Sequence, residues 1–204
     1  MIDNMLGHTC LHIYEFVEHT QVLGPFDRFA IWVSGCCFNC EGCLVKSDMT
    51  HDKGSIVDCD FLSTLIVNSG CEGITISGGE PFLQARQLSM LINKVKCTRD
   101  VGVIVYTGFT LEELLGFSKP VFSEMLLSCT DLLIDGRYIK ELDDSKTLRG
   151  SSNQRVLPLT ERYLEYLGIY GVKGRKVEWK NLHGRRFMCG VPTQEQLAQF
   201  KKTV

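Results

Sequence analysis

Four cysteines fall within eight residues, at Cys36, Cys37, Cys40 and Cys43. Thiolates held this close take a soft or borderline metal, which narrows the chemistry to zinc or iron–sulfur. A structural zinc site needs four closed ligands, usually as two pairs on separate turns. No second Cys-x-x-Cys or histidine pair follows at such a distance, and His51, the nearest imidazole, stands alone. Counted from Cys37, the first three positions of a ferredoxin run are met, but its fourth place holds Ser47. Counted from Cys36, the spacing is C-x₃-C-x₂-C. On a four-iron cluster three cysteines leave one iron without a protein ligand, and that iron is a place for chemistry.

Such a loop must be held by something rigid. Phe29-Ala30-Ile31-Trp32-Val33 reads as a buried strand running straight into it. Residues 58–69 read as a helix, with Phe61, Leu62, Leu65 and Ile66 at helical spacing and Gly70 after its end. The strand Gly73–Ile76 ends in Ser77-Gly78-Gly79-Glu80-Pro81, and a second helix follows with Leu88, Leu91, Ile92 and Val95 on one face. The strand Val101–Tyr106 ends in Thr107-Gly108, before a capping box at Thr110-Leu111-Glu112-Glu113. Leu132–Ile134 ends in Asp135-Gly136-Arg137, and Leu11–Val17 and Arg155–Leu157 are two further candidate strands.

Alternating strands and helices predict an α/β fold with a parallel sheet and helices on the outside. Four to six strands are too few for a closed eight-stranded barrel, so the expectation is an open partial (β/α) barrel. Ligands of such sheets gather beyond the carboxyl ends of the strands. The cysteine loop, the Gly-Gly-Glu turn, the Tyr-Thr-Gly turn and the Asp-Gly-Arg turn are therefore expected on one rim.

Of 204 residues, 44% are hydrophobic and 23% charged, the balance of a soluble globular chain. No apolar run is long enough for a transmembrane helix, and Met1-Ile2-Asp3-Asn4-Met5 lacks the start of a signal peptide, so a cytoplasmic location is expected. Ten cysteines in a reducing compartment point to metal binding rather than disulfides. Cys10, Cys59, Cys71, Cys97, Cys129 and Cys189 stand singly among apolar neighbours and are expected to be buried as small hydrophobes. Net charge is -2 overall, yet residues 160–204 carry nine Lys/Arg against four Asp/Glu. That predicts a core of residues 1–159 and a basic C-terminal extension, 160–204, folded back through Tyr163, Tyr166, Trp179 and Phe187. Its Gly-Arg-Lys and Gly-Arg-Arg turns are candidate partner contacts.

The cysteine spacing followed by Gly78-Gly79-Glu80-Pro81 resembles the radical S-adenosylmethionine (SAM) superfamily. More narrowly, Gly24-Pro25, Arg28, Gly42, Ser77–Pro81, Tyr106–Gly108, Asp131–Gly136 and Arg149–Gln154, in that order over residues 24–158, resemble the activating proteins of anaerobic ribonucleotide reductase, the glycyl-radical enzyme activases. The resemblance implies that Cys36, Cys40 and Cys43 ligate a [4Fe-4S] cluster whose vacant iron is chelated by the amino and carboxylate groups of SAM. Gly78, Gly79 and Glu80 would hold the methionine end. Gly42 and Leu44 would lie against the cofactor, and Tyr106 and Thr107 would line the ribose side. Asp135 and Arg137 stand at the same rim.

The implied activity is reductive cleavage of SAM to methionine and a 5′-deoxyadenosyl radical, which takes a hydrogen atom from a glycine of anaerobic ribonucleoside-triphosphate reductase. An external one-electron donor such as flavodoxin would supply the electron. The cofactors carry the chemistry, and no residue outside the cofactor sites is assigned a catalytic role. An open half-barrel suits a polypeptide substrate. Two other readings are a radical SAM enzyme acting on another glycyl-radical enzyme or a peptide, and a zinc module binding nucleic acid through its basic tail. The chain departs from the family where Phe26 follows Gly24-Pro25, where Leu44-Val45 follow the third cysteine, and in the extra thiol of Cys37.

Overall fold

The computed structural model describes residues 9–43, 53–172 and 174–203. It begins with a long strand, β1 (Cys10–Thr20), whose near-perfect alternation of burial marks a strand with two unlike faces. Its neighbour β2 (Arg28–Val33) does not alternate, because all six of its residues are buried. A strand covered on both faces belongs at the centre of a layered sheet.

Beside β2 lie β4 (Gly73–Gly78), β5 (Gly102–Tyr106) and β6 (Leu132–Asp135), all parallel to it. With β3 (Ser55–Asp58) and β7 (Arg155–Pro158), the sheet has seven strands in the order β3-β1-β2-β4-β5-β6-β7. The parallel expectation holds for the central four strands and fails at the flanks. Antiparallel pairs join β1 to β2, β1 to β3 and β6 to β7. The reason is connectivity. Parallel neighbours need a crossover, usually a helix, whereas residues 21–27 are too short to make one. Residues 136–154 contain a single 3₁₀ turn at Lys140–Leu142. The sheet is open, with β3 and β7 as its edges.

One face is covered by α1 (Cys59–Ser69), α2 (Ala85–Lys96) and α4 (Ser123–Cys129), and α3 (Leu111–Leu115) adds a short turn beside α4. Leu62, Ile66, Leu88, Leu91, Ile92, Val95 and Leu126 meet Phe29, Ile31, Ile74, Ile76, Val103 and Val105 in a single core. α1 and α3 start at side-chain caps. Asp58 accepts from the amides of Asp60 and Phe61 at 2.8 and 3.0 Å, and the Thr110–Glu113 capping box forms reciprocally. Gly70 takes the left-handed conformation that ends α1, at φ 73°. Phe61, expected on the apolar face, is 57% exposed; the buried positions are Cys59, Leu62, Ser63 and Ile66.

The opposite face is covered by the C-terminal residues. Tyr163 and Tyr170, in a 3₁₀ stretch over Glu161–Gly171, pack with Leu148 on Ile104, Leu132 and Ile134. The hairpin β8 (Val177–Leu182) and β9 (Arg185–Gly190) brings Cys189 and Phe187 against Ala30 and Trp32. Its two-residue turn, His183-Gly184, has both φ values positive (50° and 75°), the geometry that matches strand twist. The last element is α5 (Gln194–Thr203). Trp179 departs from expectation: it is half exposed and lies against Phe200 rather than the core. Among the described residues no helix is long and apolar enough to cross a membrane.

None of the ten cysteines is in a disulfide. Cys59, Cys71, Cys129 and Cys189 are buried as expected, Cys10 is partly so, and Cys97 is exposed because it sits in the turn that ends α2.

Candidate functional site

The carboxyl ends of β2, β4, β5 and β6 bring together the four turns anticipated at one rim. The cysteine loop is anchored at its base. Ser34 donates from its amide to the His12 carbonyl at 2.9 Å and from its hydroxyl to the Lys53 carbonyl at 2.6 Å. Gln84, which sequence reasoning missed, clamps the same point: its Nε2 donates to the carbonyls of His12 and Ser34 at 2.8 and 3.2 Å.

The Gly-Gly-Glu turn is pressed onto that base. Gly79 N donates to Val33 O at 2.7 Å and Glu80 N to Gly35 O at 2.8 Å. A Cβ on Gly79 would stand 2.0 Å from Gly35 O, and one on Gly78 (φ 106°) would stand 2.4 Å from Val33 N. Both glycines are therefore required by the chain itself, whatever else they touch.

Past its base the loop rises to the surface. Cys36 and Cys37 are exposed, and Cys40 and Cys43 partly so. Among the described residues of the loop, Phe38 is the one apolar foothold. Its ring meets Phe109 edge-on at 4.7 Å, the Arg137 guanidinium lies 4.6 Å from its centroid, and its amide donates to Cys36 Sγ at 3.4 Å. Gly108 leaves room for it, since a Cβ there would come within 2.5 Å of the ring. Gly42 adopts φ 69° against the Lys140 side chain. Leu44 lies outside the described residues.

Glu80 is fully buried, and its carboxylate is engaged inside the protein. Oε1 accepts from Thr107 Oγ1 at 2.8 Å and from the Phe82 amide at 2.9 Å, while Oε2 accepts from the Gly108 amide at 2.8 Å. It thus ties the β4 turn to the β5 turn. Thr107 is bound into the same network and accepts from the Phe109 amide at 3.1 Å. Burial nevertheless raises the Glu80 carboxyl from 4.5 to about 7, against the lowering effect of its three donors.

This gives a signed prediction for iron-free protein. The folded state holds the Glu80 proton more tightly than the unfolded chain, so unfolding releases a proton between pH 4.5 and about 7. Stability from this group is present below pH 4.5, falls as pH rises to about 7, and is flat above. Glu80→Gln cannot titrate, so the wild-type melting temperature should decline relative to that variant across this window. A constant difference would refute the assignment.

Asp135 is likewise buried: it accepts from the Leu111 amide at 2.8 Å and from Arg155 Nε at 3.0 Å. Arg155 also grips exposed Glu112 at 2.7 and 3.0 Å, holding that carboxyl down to about 2. Arg137 is exposed and pairs with Glu113 at 3.0 Å. The Arg149–Gln154 loop, opaque in sequence, buttresses this turn. Gln154 donates to Gly136 O at 2.8 Å and accepts from the Gly150 amide at 2.8 Å, and Asn153 donates to Arg137 O at 2.8 Å.

Tyr106 points the other way, into the face covered by the C-terminal residues. Its hydroxyl is buried with no hydrogen-bond partner among the described residues, and burial drives its pKa upward. Arg175, anticipated in a partner-facing turn, is buried and donates to Asp143 at 2.6 Å and to the carbonyls of Gly150 and Pro192. Arg185 and Arg186 remain exposed.

In the metal-free loop partial desolvation of the sulfur by the neighbouring turns pushes the Cys36 thiol up to about 11 and raises Cys37 as well, exposed though both residues are, with the charge of Glu80 adding in both cases. A cation reverses this, because metal loading drives the protons off. Three solvent-accessible thiols on a glycine-hinged loop with an anchored base fit an iron–sulfur cluster.

The fold and this loop define a protein that carries a single iron–sulfur cluster. Residues 22–157 match the family described as 4Fe-4S single cluster domain. An anaerobic ribonucleoside-triphosphate reductase-activating protein of Haemophilus influenzae is 33% identical over 157 residues, 72% of this chain and 97% of its own. Its namesake in Escherichia coli is 31% identical over 160 residues, with the same coverage. That of bacteriophage T4 is 30% identical over 146 residues, 69% of this chain and 89% of its own. The chain belongs to this family of anaerobic ribonucleotide reductase-activating proteins.

Proposed function

We propose that this chain is a radical SAM enzyme that generates a glycyl radical on an anaerobic ribonucleoside-triphosphate reductase. The observation that carries the reading is the convergence of the three-cysteine loop with the Gly-Gly-Glu and Tyr-Thr-Gly turns on one rim of a central parallel sheet. When bound, a [4Fe-4S] cluster with one iron free of protein ligands supplies one-electron cleavage of SAM to methionine and a 5′-deoxyadenosyl radical, which takes the glycine hydrogen.

In this reading Cys36, Cys40 and Cys43 hold the cluster and Gly42 lets the loop fold around it. The open sheet forms a partial (β/α) barrel. Gly78 and Gly79, partly exposed at the rim, offer main-chain groups to the amino end of SAM. Glu80 shapes that turn through its carboxylate and meets SAM through its backbone. Tyr106, at the end of β5, meets the ribose side through its main chain, because its ring turns into the face covered by the C-terminal residues. Residues 1–159 form the catalytic core. Residues 160–204 close the face opposite the helices, so the protein substrate and a donor such as flavodoxin approach over the rim.

The test is to reconstitute the protein anaerobically with iron and sulfide, reduce it, and add SAM and the reductase of the same organism. The expected result is a glycine-centred doublet in electron paramagnetic resonance with deoxyadenosine released. Deoxyadenosine without the doublet would keep the SAM chemistry and reject this partner, favouring another glycyl-radical protein or a peptide. Colourless protein holding zinc would reject both.

A further inference from the structure

A second group of metal-binding side chains lies at the far end of the sheet. His19 is near the end of β1, Asp27 immediately precedes β2, and Cys71 stands two residues before β4. Because β1 runs antiparallel to β2, and β2 parallel to β4, these three points meet at the amino end of the central strands, away from the Cys36 loop. His19 Nδ1 is 2.6 Å from Asp27 Oδ2, Cys71 Sγ is 3.4 Å from His19 Nδ1, and Cys71 Sγ is 3.6 Å from Asp27 Oδ2.

We propose that His19, Asp27 and Cys71 bind one tetrahedral, zinc-class divalent cation. Bond lengths of about 2.0–2.2 Å to nitrogen and oxygen and about 2.3 Å to sulfur give tetrahedral edges of roughly 3.3–3.7 Å. Both edges that include sulfur already have this length. The third is a hydrogen bond that must open by about 0.7 Å to reach the tetrahedral edge. That movement is cheap, because the side chains of His19 and Asp27 are 56% and 37% exposed. The same exposure leaves the fourth position open to water.

The donors suit the cation. One imidazole nitrogen, one carboxylate oxygen and one thiolate form a borderline set with two negative charges, which a dication offsets. Binding breaks the His19–Asp27 hydrogen bond and forms three metal–ligand bonds. The Cys71 proton, now directed to the Glu18 carbonyl at 2.8 Å, passes to solvent, and the Nδ1 proton of the His19–Asp27 hydrogen bond exchanges through solvent to Nε2, which frees Nδ1 to ligate. No electron is transferred. The frame is in place beforehand: the Glu72 amide donates to Asp27 O at 3.0 Å and Arg99 Nη2 donates to Cys71 O at 2.9 Å. An occupied site would staple β1, the β2 approach and β4 together.

The experiment uses the full chain with Cys36, Cys40 and Cys43 all replaced by alanine, so that the cluster loop cannot take up the probe. Cobalt(II) is titrated in anaerobically. One equivalent is expected, with a thiolate-to-cobalt charge-transfer band and the visible bands of a four-coordinate ion, both removed by zinc(II). His19→Ala and Asp27→Asn, made at exposed positions that leave the core intact, should each weaken cobalt binding by at least about tenfold. Cys71→Ser should abolish the charge-transfer band. Zinc should also raise the melting temperature of the parent and not of His19→Ala. Absence of cobalt binding, or binding that all three substitutions leave unchanged, overturns the proposal. The outcome is independent of SAM cleavage.

Discussion

Replacing Cys36, Cys40 or Cys43 singly with alanine is expected to abolish retention of a four-iron cluster and to reduce reductive SAM cleavage at least ~1,000-fold, about 4 kcal/mol of barrier. The fold should not notice. These side chains lie on a surface loop outside every core cluster, and the loop's base is held by Ser34, Gln84 and the Gly79–Val33 hydrogen bond. Exposed substitutions of this kind change stability by about 0.5 kcal/mol or less, so iron-free variants should melt with the wild type. Cys37→Ala is the control. Its thiol lies on the same loop but outside the C-x₃-C-x₂-C spacing, and that variant should keep iron, sulfide and deoxyadenosine formation. A Cys40→Ala protein that still makes deoxyadenosine at the wild-type rate would end the radical SAM reading.

The largest stability effect is expected at Arg28. This guanidinium has no exposed surface, yet it donates to Thr75 Oγ1 at 3.0 Å, Glu72 Oε2 at 2.7 Å, the Ile74 carbonyl at 2.6 Å, the Gly102 carbonyl at 3.0 Å and the Tyr163 hydroxyl. Arg28→Met keeps the apolar stem and removes every donor. Two carbonyls then face a dry interior and part-buried Glu72 keeps only Arg162 and Tyr163, a loss of about 3–5 kcal/mol. For a domain of this size that corresponds to a melting temperature lower by roughly 10 °C. Arg28→Lys should recover little, because one ammonium cannot span acceptors on β4, β5 and the C-terminal segment. Urea unfolding reads the change directly, and a midpoint within error of wild type would show that the network contributes nothing.

The central strands were legible because they are short apolar runs ending in polar turns, and their shared rim followed from parallel connectivity alone. The cysteine loop was legible because its ligands are close in sequence. What escaped depends on distance along the chain. β3 is four residues long, with Ser55 and Ile56 exposed, so it has no apolar signature and exists by pairing with β1. Asp135 stands at the rim as expected, but its carboxylate is taken up by Arg155 and the Leu111 amide, partners that are distant in sequence. Glu80 combines a position implied by resemblance with a carboxylate whose partners lie on β5. His19, Asp27 and Cys71 form no spaced motif, since their proximity comes entirely from strand order.

Tyr163 is the last residue to reach Arg28, across 135 positions of sequence. During synthesis the ribosome releases β2, β4 and β5 long before that phenol emerges. Until then the lower half of the nascent sheet holds a guanidinium that water still reaches. Closing this end of the sheet therefore waits for the C-terminal segment, and a chain cut ahead of Tyr163 would leave Arg28 without that cover.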